Sequence, residues 1–145
     1  MKQVLITGSS QGIGLATAQF FSHNGWFVHL TGRFPDRLNE VLKTFPSKNV
    51  RAWALDLSHP ESVRSFLTDW EKASLPKLDA LINNAGIFQT SNPDHQDLEV
   101  YSRQFQVNFF GAVQLTEGLL PFLKTPGASI TQVSSTLGLR PTADT

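Results

Sequence analysis

A glycine-rich loop near the start of the chain has the residue types and spacing to hold a phosphate-bearing ligand. Its sequence is Thr7-Gly8-Ser9-Ser10-Gln11-Gly12-Ile13-Gly14. An apolar strand precedes the loop and an amphipathic helix follows it, so the free N–H groups of that helix would face an anionic diphosphate. A merely flexible turn is the alternative, but this position between strand and helix favours a phosphate cradle. No Gly-Lys-Ser/Thr sequence occurs, which excludes a P-loop nucleotidase.

The three glycines of this loop have separate predicted roles. Gly8 allows a tight turn off the strand, and Gly12 lets a ligand approach the backbone closely. Gly14 leaves out a side chain where the helix meets the sheet.

Short β-rich runs alternate with helical stretches along the chain. The predicted strands are Val4–Thr7, Phe27–Thr31, Val50–Leu55, Leu78–Ile82 and Ser129–Val133. This alternation is typical of a βαβ series, and right-handed crossovers then place helices on both faces of one parallel sheet. We expect a Rossmann-type, doubly wound α/β fold with three layers, forming one domain over residues 1–145. Its ligand crevice should lie outside the carboxyl ends of the strands.

Apolar spacing predicts which helix faces are buried. The first helix should begin near Gly12 and bury Ile13, Thr17, Phe20 and Phe21; the second carries Leu38, Val41, Leu42 and Phe45. The third should begin with a capping box of Ser58 and Glu61, ahead of Val63, Phe66, Leu67 and Trp70. A long helix from about Asp97 to Leu120 should bury Leu98, Tyr101, Phe105, Ala112, Leu115 and Leu119.

Three motifs in this order resemble those of the classical short-chain dehydrogenase/reductase family. The glycine loop has the family's Thr-Gly-x-x-x-Gly-Ile-Gly form, Asp56-Leu57 follows the third strand, and Asn83-Asn84-Ala85-Gly86 follows the fourth. The resemblance covers almost the whole chain. It implies an NAD(P)-dependent oxidoreductase that transfers hydride between its cofactor and a small alcohol or carbonyl substrate.

The resemblance also implies which residues contact the cofactor. They are Gly8, Ser9, Ser10, Gln11, Gly12, Ile13 and Gly14 of the loop, Asp56 and Leu57, and Asn84, Ala85 and Gly86. Asp56 would accept a hydrogen bond from the adenine amino group, with Leu57 beside it; the alternative is a turn-forming Asp ahead of a helix. The Asn84–Gly86 segment would line the ribose, although asparagine is also an ordinary turn residue.

The end of the second strand predicts a preference for NADP over NAD. An NAD enzyme would place an acidic residue against the ribose hydroxyls there, whereas this chain has Gly32 followed by Arg33. A guanidinium can pair with the 2′-phosphate of NADP through charge-assisted hydrogen bonds. The alternative is a solvated surface arginine, and the glycine loop offers no second basic residue.

Two further residues match the catalytic positions of the family. Asn108 lies inside the long helix, where asparagine has poor propensity, and the resemblance makes it the residue whose backbone holds a proton-relay water. A buried Asn satisfied by neighbouring backbone is the alternative. At the end of the last strand the resemblance assigns the catalytic serine to Ser135, with Ser134 as a strand residue and the alternative choice.

The resemblance also implies a catalytic Tyr-x-x-x-Lys motif, which the 145 residues do not contain. Tyr101, the single tyrosine, lies in the long helix and cannot take that role. We therefore expect a domain truncated after its fifth strand, without the tyrosine–lysine helix, the last strands and the substrate loop. The final strand should then be an exposed edge that carries Ile130 and Val133. The alternative is a naturally short, non-catalytic protein that binds NADP.

The composition argues against nucleic-acid binding, membrane association and metal binding. Twelve basic residues balance twelve acidic ones, so the sequence predicts no nucleic-acid partner and no membrane association. The chain has no cysteine, and its histidines, His23, His29, His59 and His95, lack the spacing of metal ligands. We expect these four to be ordinary surface or partly buried residues. The sequence predicts a cytoplasmic protein, and a homo-oligomer when the protein is complete.

Overall fold

The structure, a computed structural model, confirms the parallel α/β fold and describes residues 1–46, 48–75, 77–89, 97–123 and 126–138. Its strands are β1 (Gln3–Ile6), β2 (Phe27–Gly32), β3 (Val50–Ala54), β4 (Ala80–Asn83) and β5 (Ser129–Gln132). Its helices are α1 (Gly12–His23), α2 (Pro35–Leu42), α3 (Pro60–Lys72), α4 (Leu98–Phe105) and α5 (Gly111–Leu119). A π-helical turn at Gln106–Phe110 joins α4 to α5, and 3-10 turns lie at Leu120–Phe122 and Thr136–Gly138. All strands are parallel, in the order β3-β2-β1-β4-β5.

Two apolar cores, one on each face of the sheet, give the fold its three layers. Successive side chains of a strand point to opposite faces, so Val4 and Ile6 of β1 pack with α1 and α2, whereas Leu5 packs with α3 and α5. All three side chains are fully buried. Such continuous burial is what a central strand covered on both faces requires.

The buried face of α1 is not the one that its apolar residues predict. The helix buries Gly14, Ala18 and Ser22, one residue per turn, while Ile13 and Phe20 are exposed. The small side chains let α1 lie close to the sheet, and this close approach decides the orientation of the helix. The prediction that Ile13 and Phe20 are buried was wrong.

The predicted capping box of α3 does not form either. The helix begins at Pro60 with His59 at the N-cap position, and no side chain caps it. The Ser58 hydroxyl donates instead to Asp56 Oδ1 at 2.6 Å, and the Glu61 carboxylate pairs with Arg64. Proline at the first helical position is favourable because it has no N–H to satisfy.

The long helix has the predicted limits, but its buried stripe changes phase at the π-helical turn. Asp97 caps it by accepting a hydrogen bond from the Glu99 N–H at 2.9 Å. Ala112, Leu115 and Leu119 of α5 are buried as predicted, whereas Leu98, Tyr101 and Phe105 of α4 are exposed. A π-helical turn holds one extra residue, so the inward positions of α4 shift by one, to Val100 and Gln104, which are half-buried, and Val107 within the turn is buried.

β5 is an exposed edge strand, as predicted. Among the described residues its one strand partner is β4, and Ile130 and, just beyond the strand, Val133 are exposed. An unpaired edge with apolar side chains is a surface that another strand or chain can cover.

His29 is not the ordinary histidine that we expected. It is fully buried in β2, with Nε2 2.8 Å from Gln3 Oε1, and its Nδ1 accepts a hydrogen bond from Trp53 Nε1 at 3.1 Å. His23 and His59 are exposed, and His95 lies outside the described residues. Within the described ranges no three His, Asp or Glu residues group closely enough to hold a metal ion. None of the described helices has the length and apolar character to cross a membrane.

Candidate cofactor and active site

A cavity of about 340 Å³ opens at the carboxyl ends of the central strands. It lies beside the point between β1 and β4 where the strand order reverses, the position at which doubly wound sheets bind their ligands. Its lining includes Gly8, Ser10, Gln11, Gly12, Ile13, Arg33, Asp56, Leu57, Asn84, Ala85 and Gly86. All the predicted cofactor-binding residues therefore line one cavity, except Ser9 and Gly14.

Glycine is required at two points of the loop for different reasons. Gly8 has a φ of +65°, and a Cβ there would lie 2.9 Å from Ala85 Cα. A Cβ on Gly14 would overlap the carbonyl oxygen of Gly8 and lie 2.5 Å from Asn84 Nδ2. The loop, α1 and the Asn84–Gly86 segment are thus packed backbone to backbone around the cavity.

Ser9 faces away from the cavity and holds the sheet together. Its side chain is fully buried, and its hydroxyl donates to the carbonyl oxygen of Ile6 at 2.9 Å and accepts from the Thr31 N–H at 2.9 Å. Its own N–H donates to the Thr31 carbonyl at 3.0 Å. Both donors of Ser9 are already used within the protein, so this geometry gives no support to a contact between Ser9 and the cofactor.

Thr7 joins the glycine loop to the asparagine segment, a role that the sequence reasoning missed. Its hydroxyl oxygen accepts hydrogen bonds from the N–H groups of Asn84 and Ala85, both at 2.9 Å. In return, Asn84 Nδ2 donates to the Thr7 carbonyl at 2.9 Å. The signal in the sequence is a hydroxyl residue at the end of an apolar strand directly before the first loop glycine.

The end of the cavity near β2 is positively charged. Gly32, Arg33 and Arg37 line it together with Ser10. The Arg33 guanidinium lies over the Phe34 ring, 5.3 Å from its centroid. A Cβ on Gly32 would be 3.3 Å from both the Ser10 side chain and Leu38, so this position has little room for any side chain. Arg37, on the first turn of α2, is a second basic residue that the sequence reasoning did not single out.

Asp56 forms the turn that the alternative interpretation described, and it also lines the cavity. Its Oδ1 accepts hydrogen bonds from the Ser58 N–H at 2.9 Å and from the Ser58 hydroxyl. Burial acts to raise the pKa of Asp56, but these hydrogen bonds and the charges of His59 and Arg33 hold the pKa below its ordinary value. The carboxylate is therefore charged at neutral pH, and it can accept a hydrogen bond from an amino group.

Asn108 lies in the π-helical turn and fixes the segment that follows β4. Its Oδ1 accepts from the Ile87 N–H and its Nδ2 donates to the Ile87 carbonyl, both at 2.8 Å. The residue is exposed, so the alternative interpretation of Asn108 as a buried asparagine does not hold, although the backbone of Ile87 does satisfy its amide. π-helical turns are frequent at functional sites because they turn backbone groups out of the regular hydrogen-bond ladder.

Ser134 and Ser135 both lie beyond the end of β5, which stops at Gln132. With Thr136 and Gly138 they line a separate, open depression. The Ser135 hydroxyl oxygen accepts a hydrogen bond from the Leu137 N–H at 3.2 Å. Ser134 is thus not a strand residue, and both hydroxyls stand at the same edge of the sheet as the cavity.

Comparison with known proteins assigns the chain to a family. The model of the short chain dehydrogenase family matches residues 2–145. Sulfoacetaldehyde reductase 2 of Chromohalobacter salexigens is 33% identical over 142 residues, which are 95% of this chain and 56% of that protein. Oxidoreductase BOA17 of Botryotinia fuckeliana is 33% identical over 131 residues, which are 90% of this chain and 47% of that protein. The chain spans about half the length of these curated relatives.

Solved structures agree with this assignment. A short chain dehydrogenase of Shigella flexneri complexed with NADP matches 99% of this chain and 62% of its own, at 27% identity and a TM-score of 0.88. The NADPH-bound carbonyl reductase from chicken fatty liver matches 95% of this chain and 61% of its own, at 27% identity and a TM-score of 0.81. With the family model over residues 2–145 and the motifs at the strand ends, these matches show that the chain belongs to the short-chain dehydrogenase family of oxidoreductases.

Proposed function

We propose that the chain is the cofactor-binding part of an oxidoreductase that transfers hydride between NADP(H) and an alcohol or carbonyl substrate. The observation that carries the choice of NADP is the positively charged end of the cavity, where Arg33 and Arg37 stand beside Gly32. At the end of β2, where an acidic residue would repel a 2′-phosphate, the chain has Gly32. NADP is therefore favoured over NAD.

The residues around the cavity fit the rest of the cofactor. The glycine loop at the start of α1 leaves space for a diphosphate and presents N–H groups to it. Asp56 and Leu57 line the cavity with Arg33, and we assign them to the adenine. Ala85 and Gly86 also line it, and we assign them to the second ribose. When bound, the nicotinamide supplies or accepts the hydride.

We assign the polarising role on the substrate to Ser135, with Ser134 as the alternative, and the placement of the proton-relay water to the backbone at Asn108. A hydroxyl beside the reacting oxygen stabilises the charge that develops there. Proton transfer needs a further acid–base group, because a serine hydroxyl alone is a poor acid. The 145 residues hold no Tyr-x-x-x-Lys motif. We therefore expect this chain to bind the cofactor without turning over substrate by itself.

Cofactor titration tests the proposal directly. The chain should bind NADPH more tightly than NADH, and Arg33→Ala should raise the Kd for NADPH by about 10- to 100-fold, because hydrogen bonds to a charged group contribute about 1.5–3 kcal/mol. The Kd for NADH should stay unchanged. Fluorescence titration of wild type and variant with both cofactors measures the ratio. If the ratio of the Kd for NADPH to the Kd for NADH were the same in wild type and variant, Arg33 would have no role in the preference for NADP.

The second candidate function is a non-catalytic NADP-binding protein, in which the same cavity would hold the cofactor. Both candidates predict NADPH binding, so the distinguishing measurement is the intact mass of the native gene product. A mass well above 16.0 kDa would support the enzyme, and a mass equal to that of this chain would support the binding protein. The cytoplasmic location stays a prediction.

We also propose that the complete protein is a homo-oligomer that pairs through the outer face of α4 and α5. Phe105, Phe109 and Val113 are all exposed there, at helical spacing. Burying such a stripe against a second copy would remove apolar area from water. Sedimentation equilibrium of the native protein should give at least a dimer. A monomer at micromolar concentration would rule out this pairing.

A further inference from the structure

Two side-chain amides of the long helix hold the backbone that follows the Asn84–Gly86 segment. Asn108 bonds to both the N–H and the carbonyl of Ile87. One turn earlier, Gln104 makes the same pairing with Gln89: its Oε1 accepts from the Gln89 N–H at 3.2 Å, and its Nε2 donates to the Gln89 carbonyl at 3.3 Å. We call the side chains of Gln104 and Asn108 together the amide clip.

The spacing of the amide clip matches that of an extended backbone. Ile87 and Gln89 are two residues apart, and alternate residues of an extended chain turn their N–H and carbonyl groups to the same edge. Two residues of such a chain span about 6.6 Å, and four residues of a helix rise about 6 Å. Each carboxamide offers both an acceptor and a donor. Two of them one turn apart can therefore take the place of a neighbouring strand.

Gln104 lies where a polar side chain needs a reason. It is half-buried at an inward position of α4, between the inward-facing Val100 and Val107. A buried or half-buried amide is costly unless it is hydrogen-bonded. The pairing with Gln89 meets this need, because it uses both the oxygen and the nitrogen of the Gln104 amide.

The amide clip borders the candidate cofactor cavity. Gly86 and Ile87 both line the cavity, and a Cβ on Gly86 would lie 3.4 Å from Asn108 Oδ1. Ile87 is half-buried, and it packs against the core that α3 and α5 share with the sheet. Holding Ile87 and Gln89 therefore fixes the cavity wall at the end that we assign to the second ribose.

We propose that Gln104 is a positioning residue of the cofactor site, which acts through Gln89 and Ile87 to hold the cavity wall against the nicotinamide half of the cofactor. This inference rests on the proposed function, since it assumes that the cavity binds NADP(H). Arg33, assigned to the adenosine half, lies at the end of β2, on the other side of β1 from β4. Gln104 should therefore affect one half of the cofactor and not the other.

The test compares Gln104→Met with Gln114→Met in calorimetric titrations with NADPH and with adenosine 2′,5′-bisphosphate, which lacks the nicotinamide half. Gln114 is the matched control, because it is half-buried in the same long helix and donates to the Pro60 carbonyl at 3.4 Å, but does not line the cavity. Methionine keeps the length of the side chain without its amide. Gln104→Met should raise the Kd for NADPH about three- to tenfold and leave that for the bisphosphate unchanged. Gln114→Met should change neither Kd.

The two ligands separate a positioning role from a general structural one. If Gln104→Met leaves the Kd for NADPH unchanged, the inference is overturned. A loss of affinity by the same factor for both ligands would also overturn it, because Gln104 would then support the whole fold. Should circular dichroism show that Gln104→Met is unfolded, Gln104→Glu, which keeps the acceptor and lacks the donor, must show the selective loss instead. If the wild type binds neither ligand, the proposed function itself fails.

Discussion

Gly14→Ala is expected to abolish measurable NADPH binding and to destabilise the fold. The new Cβ would overlap the carbonyl oxygen of Gly8 and lie 2.5 Å from Asn84 Nδ2. Neither neighbour can move away cheaply, because one is backbone and the other is held by its hydrogen bond to the Thr7 carbonyl. Either α1 or the glycine loop must shift. A shift of about 1 Å in a binding group can cost about 100-fold, and overpacking costs about 1–3 kcal/mol.

Alanine substitutions at two other glycines test whether the effect of Gly14→Ala comes from its close contact. Gly138→Ala should change neither stability nor affinity, because a Cβ there meets no described atom within 4 Å. Gly12→Ala also has open space, but its φ of +56° should cost about 1–2 kcal/mol of backbone strain. Urea unfolding and NADPH titration of the three variants measure both effects. Wild-type affinity in Gly14→Ala would show that the loop tolerates the displacement and would contradict the packing argument.

The fold could be predicted from the sequence because its strands and motifs carry local signals. β1 to β5 lie where the β-rich runs place them, and the glycine loop joins β1 to α1 as predicted. Helix faces were harder to predict. In α1, close packing through Gly14 and Ala18 outweighs the apolar pattern of Ile13 and Phe20. No apolar pattern signals a π-helical turn, so the phase change at Gln106–Phe110 could not be foreseen.

Residues of the candidate site could be predicted where they belong to a sequence motif. They could not be predicted where only the packing of the fold brings them to the cavity. Asn84 and Gly86 follow a strand in a recognisable order, and both line the cavity. Arg37 lies in an ordinary amphipathic helix, and only the packing of α2 beside the end of β2 brings it to the cavity wall. Ser9 is the opposite case. It belongs to the glycine-loop motif, but its hydroxyl and its N–H donate to backbone carbonyls of the protein instead of facing the cavity.

His29 has a neutral ring whose proton position follows from its partners. Trp53 Nε1 can only donate, so the Nδ1 of His29 must accept, and its Nε2 carries the hydrogen toward Gln3 Oε1. A second proton would have to go on Nδ1, against the Trp53 N–H. Burial, with the nearby charge of Arg51, lowers the pKa of His29 from 6.5 to about 4.

This lowered pKa predicts a loss of stability in mild acid. Between pH 6.5 and pH 4 the unfolded chain binds a proton at His29 that the folded protein does not, so the free energy of unfolding falls as the pH falls. The stability that depends on a neutral His29 is fully present above pH 6.5. It amounts to about 3 kcal/mol, because a shift of one pKa unit corresponds to about 1.36 kcal/mol. Asp56, whose folded pKa is also lowered, loses its contribution only below its ordinary value of 3.8, outside this window.

Urea unfolding at pH 7 and pH 4.5 should therefore show a large drop in wild type and a much smaller one in His29→Phe. Phenylalanine keeps a ring among Phe27, Trp53 and Trp70, so the variant is expected to fold, although it loses two hydrogen bonds at every pH. His23→Gln is the matched control, since His23 is exposed on α1, and it should keep the wild-type drop. The difference between the two variants isolates His29 from the carboxylates that titrate in the same range. If His29→Phe kept the full drop, the acid sensitivity would have to arise from other groups, and the buried ring would be a packing residue alone.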